Sequence, residues 1–150
     1  MAERVLAIDY GERRVGLALS NPETGFVSGL PTIDRRALKK GGLTAAIAAL
    51  VVERQVNRVL LGMPYSLDGS VGPAAERVRA FRDQLHLTIE TPVEEWDERL
   101  TTEAARRTLQ ELGYSEKKMR EKLDQLSAVL MLEHYLKFRE GHPRPPAGAA

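Results

Sequence analysis

No cysteine occurs among the 150 residues, which excludes disulfide frameworks, thiolate zinc sites and thiol nucleophiles together. Aromatic residues make up only 5% of the chain, so base stacking is expected to be a minor contribution to any nucleic-acid contact. Long hydrophobic runs are missing too: the stretch from Leu43 to Val52 falls far short of the roughly 20 residues that a membrane span needs. Met1-Ala2-Glu3-Arg4 leads into only a short apolar segment, without an export pattern, and a cytoplasmic location is the expectation. Nor is there an excess of one charge. Lys and Arg number 22 against 21 Asp and Glu, a net +1, so the whole-molecule field steers nothing and any polyanion-binding surface has to be local. With 43% hydrophobic residues, the chain can build one core and is too short for two ordinary domains. One domain is expected over 1–140, with the Pro-, Gly- and Ala-rich residues 141–150 as a disordered tail.

Periodicity predicts an α/β fold. Arg4 to Asp9 reads as a buried strand ending in a carboxylate, and Tyr10-Gly11-Glu12-Arg13 is a turn before a second strand over Val15 to Leu19. After a turn at Asn21 to Gly25, a third strand is predicted over Phe26 to Ile33. Helical spacing follows from Thr44 to Arg54, then an apolar strand from Val56 to Gly62, a loop from Pro64 to Gly72, and a helix from Pro73 to Leu85. Thr88 to Trp96 suits a strand, with Pro92 favouring an edge or terminal place. Thr101-Thr102 offers a helix start before Ala104 to Leu112, Ser115 caps a short basic segment, and the last helix is expected from about Leu123 to Arg139. This order describes a mixed five-stranded sheet, an antiparallel meander followed by parallel strands, flanked by helices.

Three acidic positions fall at element ends. Asp9 ends an apolar strand, at the carboxyl edge where open α/β sheets place their ligands; a turn-forming role beside Gly11 is the plainer alternative. Asp97-Glu98 follows the fifth strand. Adjacent residues face opposite ways, so one of them is expected at a shared site, while helix capping or pairing with Arg99 is the alternative. Asp124 lies at the expected start of the last helix, where the helix dipole alone accounts for an acid. Taken together, they match the oxygen-only donor set of Mg2+ or Mn2+, and a pair of such ions stabilises both the attacking and leaving oxygens in phosphoryl displacement. His86, His134 and His142 show no metal-ligand spacing.

The motifs Asp9-Tyr10-Gly11 with Val15-Gly16-Leu17-Ala18, Gly62-Met63-Pro64-Tyr65-Ser66-Leu67-Asp68-Gly69, Asp97-Glu98-Arg99-Leu100-Thr101-Thr102, and Leu123-Asp124 with Ser127-Ala128 and Leu132-Glu133 resemble, in order and separation, those of the YqgF/RuvX family. The resemblance runs from about Val5 to Leu136. It implies an RNase H-like fold and a Holliday-junction-resolvase-like nuclease, with a role in processing the 5′ end of pre-16S ribosomal RNA. It also implies Asp9, Asp124 and an acid of Asp97-Glu98 as catalytic metal ligands, with Glu98 slightly favoured over Asp97. Met63 and Tyr65-Ser66 depart mildly from the family's usual residues in the loop, a difference that touches specificity more than catalysis.

Local basic excess marks the expected nucleic-acid face, which would bind structured RNA or branched DNA. Arg35, Arg36, Lys39 and Lys40 against Asp34 give +3, and Arg99 to Lys122 carries seven basic and four acidic residues. Arg13 and Arg14 after Asp9, with Arg99, Lys117, Lys118, Arg120 and Lys122, are the candidate phosphate contacts, against the alternative of a solvated helix surface. Two other functions compete with a nuclease. Actin-like ATPases and sugar kinases open with a similar hairpin, but they close two such domains around nucleotide, and the P-loop pattern is absent here. A non-catalytic nucleic-acid-binding module would use the acids only as caps and ion-pair partners. A monomer or weak homodimer is expected, since no dimer surface stands out.

Overall fold

The computed structural model describes residues 2–39 and 41–144, apart from the side chains of Thr101, Thr102, Ala104, Arg120, Glu121, Asp124 and Gln125. Strands β1 (Val5–Asp9), β2 (Arg14–Ser20), β3 (Val27–Asp34), β4 (Arg58–Met63) and β5 (Val93–Asp97) form one sheet in the order β3-β2-β1-β4-β5. β1, β2 and β3 pair antiparallel, while β4 lies parallel to both β1 and β5. The connections between the parallel strands pass through helices α1 (Gly42–Glu53) and α2 (Pro73–Thr88); α3 (Glu98–Glu111) and α4 (Glu116–Gly141) follow. This is the mixed sheet that the hydrophobic pattern and turn residues predict.

Side-chain alternation divides the inward-facing residues between two cores. Leu6, Ile8, Val15, Leu17, Val59, Leu61 and Met63 pack with Ile47, Val78, Phe81 and Leu85 of α1 and α2. Val5, Ala7, Ala18, Leu60 and Trp96 face the other way, onto Ala128, Met131, Leu132 and Tyr135 of α4. The α4 side is lined by smaller strand residues. Among the described residues, no helix is long and apolar enough to cross a membrane.

Several boundaries differ from expectation, three of them for an identifiable local reason. α2 continues to Thr88, whose hydroxyl donates to the Gln84 carbonyl (2.9 Å), and Leu85 anchors that last turn in the core; the strand expected from Thr88 therefore shrinks to β5. α1 begins two residues early, at Gly42. α3 starts at Glu98 rather than at Thr101-Thr102, because Asp97 is its N-cap and accepts from the Arg99 backbone N–H (3.0 Å). The basic segment and the last helix are one continuous helix capped by Ser115, since neither Gly nor Pro interrupts 116–140. Asp124 consequently lies eight residues inside α4, beyond the first turn where a dipole argument applies. In the segment expected to be disordered, Gly141 ends α4 and Arg144 pairs with Glu94; residues 145–150 lie outside the described ones.

Candidate metal centre

β1, β4 and β5 run parallel, so their carboxyl ends share one edge of the sheet. Asp9 closes β1 one residue beyond the Ile8–Leu61 pair, and Asp97 closes β5 opposite Met63. Of the Asp97-Glu98 pair, Glu98 is the acid that turns toward Asp9. Ala7 and Trp96 belong to the α4-side core, Asp9 follows on that side of β1, and the chain enters α3 at Glu98 with its carboxyl hydrogen-bonded to Asp9.

Asp97 is fully engaged there. The Arg99 guanidinium donates to both of its oxygens (Nε 3.0 and 3.1 Å, Nη2 2.6 Å), and that hydrogen bonding holds the Asp97 carboxyl below its usual range against the opposing effect of burial. Asp97 is therefore a cap and an arginine anchor, as the plainer sequence reading allowed.

Glu98 has the opposite environment. Burial, then the charge of Asp9, a hydrogen bond with Asp9 and the charge of Asp97, push its carboxyl up to about 9. Two carboxyl groups joined in this way hold a proton between them in place of a second negative charge. The space Glu98 occupies exists because position 62 is glycine. A Cβ there would collide with Glu98 Oε1 and lie 2.9 Å from both Glu98 Cγ and Met131 Sδ. The Ser127 hydroxyl of α4 donates a short hydrogen bond to Asp9 Oδ2 and so fixes the carboxylate from the side opposite the strand.

Asp9 and Glu98 are thus brought together. The side chain of Asp124, three residues before Ser127 on α4, lies outside the described ones. Among the described residues, no group of three or more His, Asp or Glu is arranged around a cation position, and neither Asp9 nor Glu98 has an ion-pair partner. The donor chemistry nevertheless fits a hard divalent ion. Both groups offer only oxygen, and a cation would replace the proton that burial and mutual repulsion retain. Ser127 and Gly62 belong to the site and were not singled out as site residues from sequence; their only sequence signal was membership of the resembling motifs.

The basic candidates are spread out. Arg13 is exposed and loosely paired with Asp34 (3.9 Å), and Arg14 is exposed at the start of β2. Lys117 and Lys118 are exposed in the first turn of α4, Lys122 is half-buried, and the Arg120 side chain lies outside the described ones. At about 1.5 Å of rise per residue, Lys117 lies about 15 Å along the helix axis from Ser127 and Lys122 about 7.5 Å. Arg99 serves the protein itself: besides holding Asp97, it donates to the Ser66 and Leu67 carbonyls (3.2 Å each) and lies over the Tyr65 ring.

A meander followed by two parallel strands thus carries paired acids at its carboxyl edge, with helices on both faces of the sheet. The family model described as "RuvX: Holliday junction resolvase" matches residues 3–138, and the chain belongs to that family. A relative from Chloroflexus aurantiacus is 40% identical over 93% of this chain and 90% of its own length. One from Halothermothrix orenii is 37% identical over 91% and 96%, and one from Listeria monocytogenes 38% identical over 89% and 96%. All three bear the name "Putative pre-16S rRNA nuclease". The crystal structure of the fowlpox virus Holliday junction resolvase aligns with a TM-score of 0.48 at 12% identity, over 93% of this chain and 99% of that one.

Proposed function

We propose that this chain is a divalent-metal-dependent nuclease that hydrolyses phosphodiester bonds in the maturation of the 5′ end of pre-16S ribosomal RNA. The observation that carries this reading is the meeting of Asp9 and Glu98 at the carboxyl edge of the sheet, with burial and repulsion pushing Glu98 up to about 9. The names of relatives at 37 to 40% identity support pre-16S ribosomal RNA as the substrate. Asp9 and Glu98 would hold Mg2+ or Mn2+, with Asp124, the acid that the motif resemblance implies, as the further ligand. When bound, such an ion polarises the phosphodiester and lowers the pKa of an attacking water. The protein's own parts do the positioning. Ser127 sets the orientation of Asp9, Gly62 leaves the volume into which Glu98 folds, and the Asp97–Arg99 clamp holds the neighbouring loop against α3.

Asp9→Asn is expected to lower cleavage by about 10³-fold, since a loss of several kcal/mol of transition-state stabilisation is at stake, while leaving nucleic-acid affinity nearly intact. The assay compares a 5′-extended 16S precursor, single strands and a four-way DNA junction, each in Mg2+, in Mn2+ and in chelator. Cutting by Asp9→Asn at the wild-type rate, or wild-type cutting in chelator, overturns the reading. The family description favours a second substrate, the DNA junction. That reaction needs two sites acting on opposed strands, so junction cutting together with a dimer in solution would favour it.

A further inference from the structure

Beside the paired acids, a groove of about 600 Å³ runs along α3, a size that takes a nucleotide-sized ligand. Glu98 lines its inner end. Pro64, Tyr65 and Leu67 form one wall; Arg99, Arg106 and Arg107 of α3 line the other.

Leu67 is 97% exposed, the most exposed large apolar side chain among the described residues, yet its backbone is pinned. The Gly69 N–H donates to the Ser66 carbonyl (2.8 Å), the Ser66 N–H to the Ser70 carbonyl (3.0 Å), and Asp68 accepts from both the backbone and the hydroxyl of Ser70 (2.9 and 2.6 Å). Arg99 ties the same turn to α3 through the carbonyls of Ser66 and Leu67. A backbone held in place beside the acids presents this apolar side chain at a set position, so the ordering entropy of the turn is lost before any partner arrives.

The opposite wall supplies the charge. Arg99 is committed to Asp97, and Arg106 to Glu116 (2.6 Å). Arg107 is in no ion pair among the described residues. Glu103 lines the same wall between Arg99 and Arg107, so the cationic end of the groove is the far one. Nine residues of helix separate Glu98 from Arg107, about 14 Å, which exceeds the roughly 3.4 Å step of one stacked nucleotide several-fold.

We infer that this groove holds a single unpaired strand leading away from the scissile phosphate, with Leu67 against the base beside the cut and the Arg107 guanidinium on a phosphate further along. Apolar wedges act on base steps in this way, and displacing a base costs least where it is already unpaired. The substrate class is therefore a nucleic acid unpaired next to the cut. This rests on the nuclease reading, and its test separates the two.

The full-length chain is assayed on oligonucleotides of one sequence that are unpaired or fully paired beside the cut, in RNA and DNA versions. A base analogue whose emission rises on unstacking is placed beside the cut and read in chelator, where no cleavage occurs. Wild type is expected to prefer the unpaired substrate and to raise the emission. Leu67→Ala raises KM by about tenfold on the unpaired substrate, with kcat and the melting temperature nearly unchanged, and abolishes the emission rise. Arg107→Ala lowers the slope of log affinity against log salt by about one, and Arg107→Lys restores it. Leu87→Ala, another exposed leucine but at the opposite end of the sheet, changes none of these. Equal cutting of paired and unpaired substrates, an unchanged KM in Leu67→Ala, or an unchanged salt slope in Arg107→Ala overturns the inference. So does the lack of any emission change with both RNA and DNA, which would leave the groove to a polypeptide or a second copy of the chain. An emission rise that depends on Leu67, without cutting of any substrate, supports the groove and overturns the nuclease reading alone.

Discussion

On the face of the sheet covered by α1 and α2, the strands present Leu6, Ile8, Leu17, Leu61 and Met63; on the face covered by α4, the same strands present Val5 and Leu60 at one end and, toward the acids, the small residues Ala7, Gly16, Ala18 and Gly62. Large, branched residues on the first face fill a continuous apolar core, whose burial supplies stability in proportion to area. Small residues on the second let α4 come down close to the sheet, with Ala128 next to Gly16 and Met131 next to Gly62. The volume freed there takes carboxyl groups that an apolar core would exclude. One sheet thus separates two demands: the first face holds the fold together, while the second accepts electrostatic strain for the sake of a site.

Changes at neighbouring residues test this division most sharply. Ile8 and Asp9 are consecutive but face opposite ways, so Ile8→Ala should cost about 2–5 kcal/mol of stability by leaving a cavity in the larger core. Asp9→Asn should leave the metal-free protein as stable or more stable, because it removes a charge that opposes ionisation of Glu98. Urea unfolding midpoints measure both, and equal losses would mean that the faces are not divided in this way. Next in size, Gly62→Ala should cost about 1–3 kcal/mol by overpacking against Glu98 and Met131, and should lower cleavage more than a loss of folded protein explains.

pH gives a finer test. Native Glu98 keeps its proton up to about 9, whereas its ordinary value is 4.5, so between those limits the native state binds more protons than the unfolded one. Stability from this group is full below pH 4.5 and is lost as pH rises toward 9, by at most about 1.4 kcal/mol per pH unit, the limit for one proton. Metal-free melting temperatures should show the decline, and Glu98→Gln should flatten it. The smallest expected effect is Asp97→Ala, about 0.5–2 kcal/mol from loss of the α3 cap, with looser protection of the Ser66–Gly69 turn in hydrogen exchange.

Element order and sheet type were legible in the sequence because alternation and turn residues are local signals, as at Gly11 between β1 and β2. Boundaries were less so. Thr88 and Ile89 carry a strand-like composition, yet the buried Leu85 one turn earlier keeps Thr88 in the helix. The apolar spacing marks the last helix only from about Leu123, so its continuity with the segment that Ser115 caps rests on the weaker signal that neither Gly nor Pro interrupts 116–140. For the site, Asp9 and the Asp97-Glu98 pair were legible as positions, but separating Asp97 from Glu98 needs the register of β5 on β4. Ser127 lies 118 residues from Asp9, and no local pattern signals that they touch.

That separation bears on synthesis. Asp9 belongs to β1, and the hydroxyl that orients it is made much later, with α4. A nascent chain still lacking α4 can pair β1 with β2, but it has neither Ser127 nor the helix that covers the acids. On the nuclease reading, such a chain stays inactive until α4 docks, so cleavage is withheld from a partly folded polypeptide.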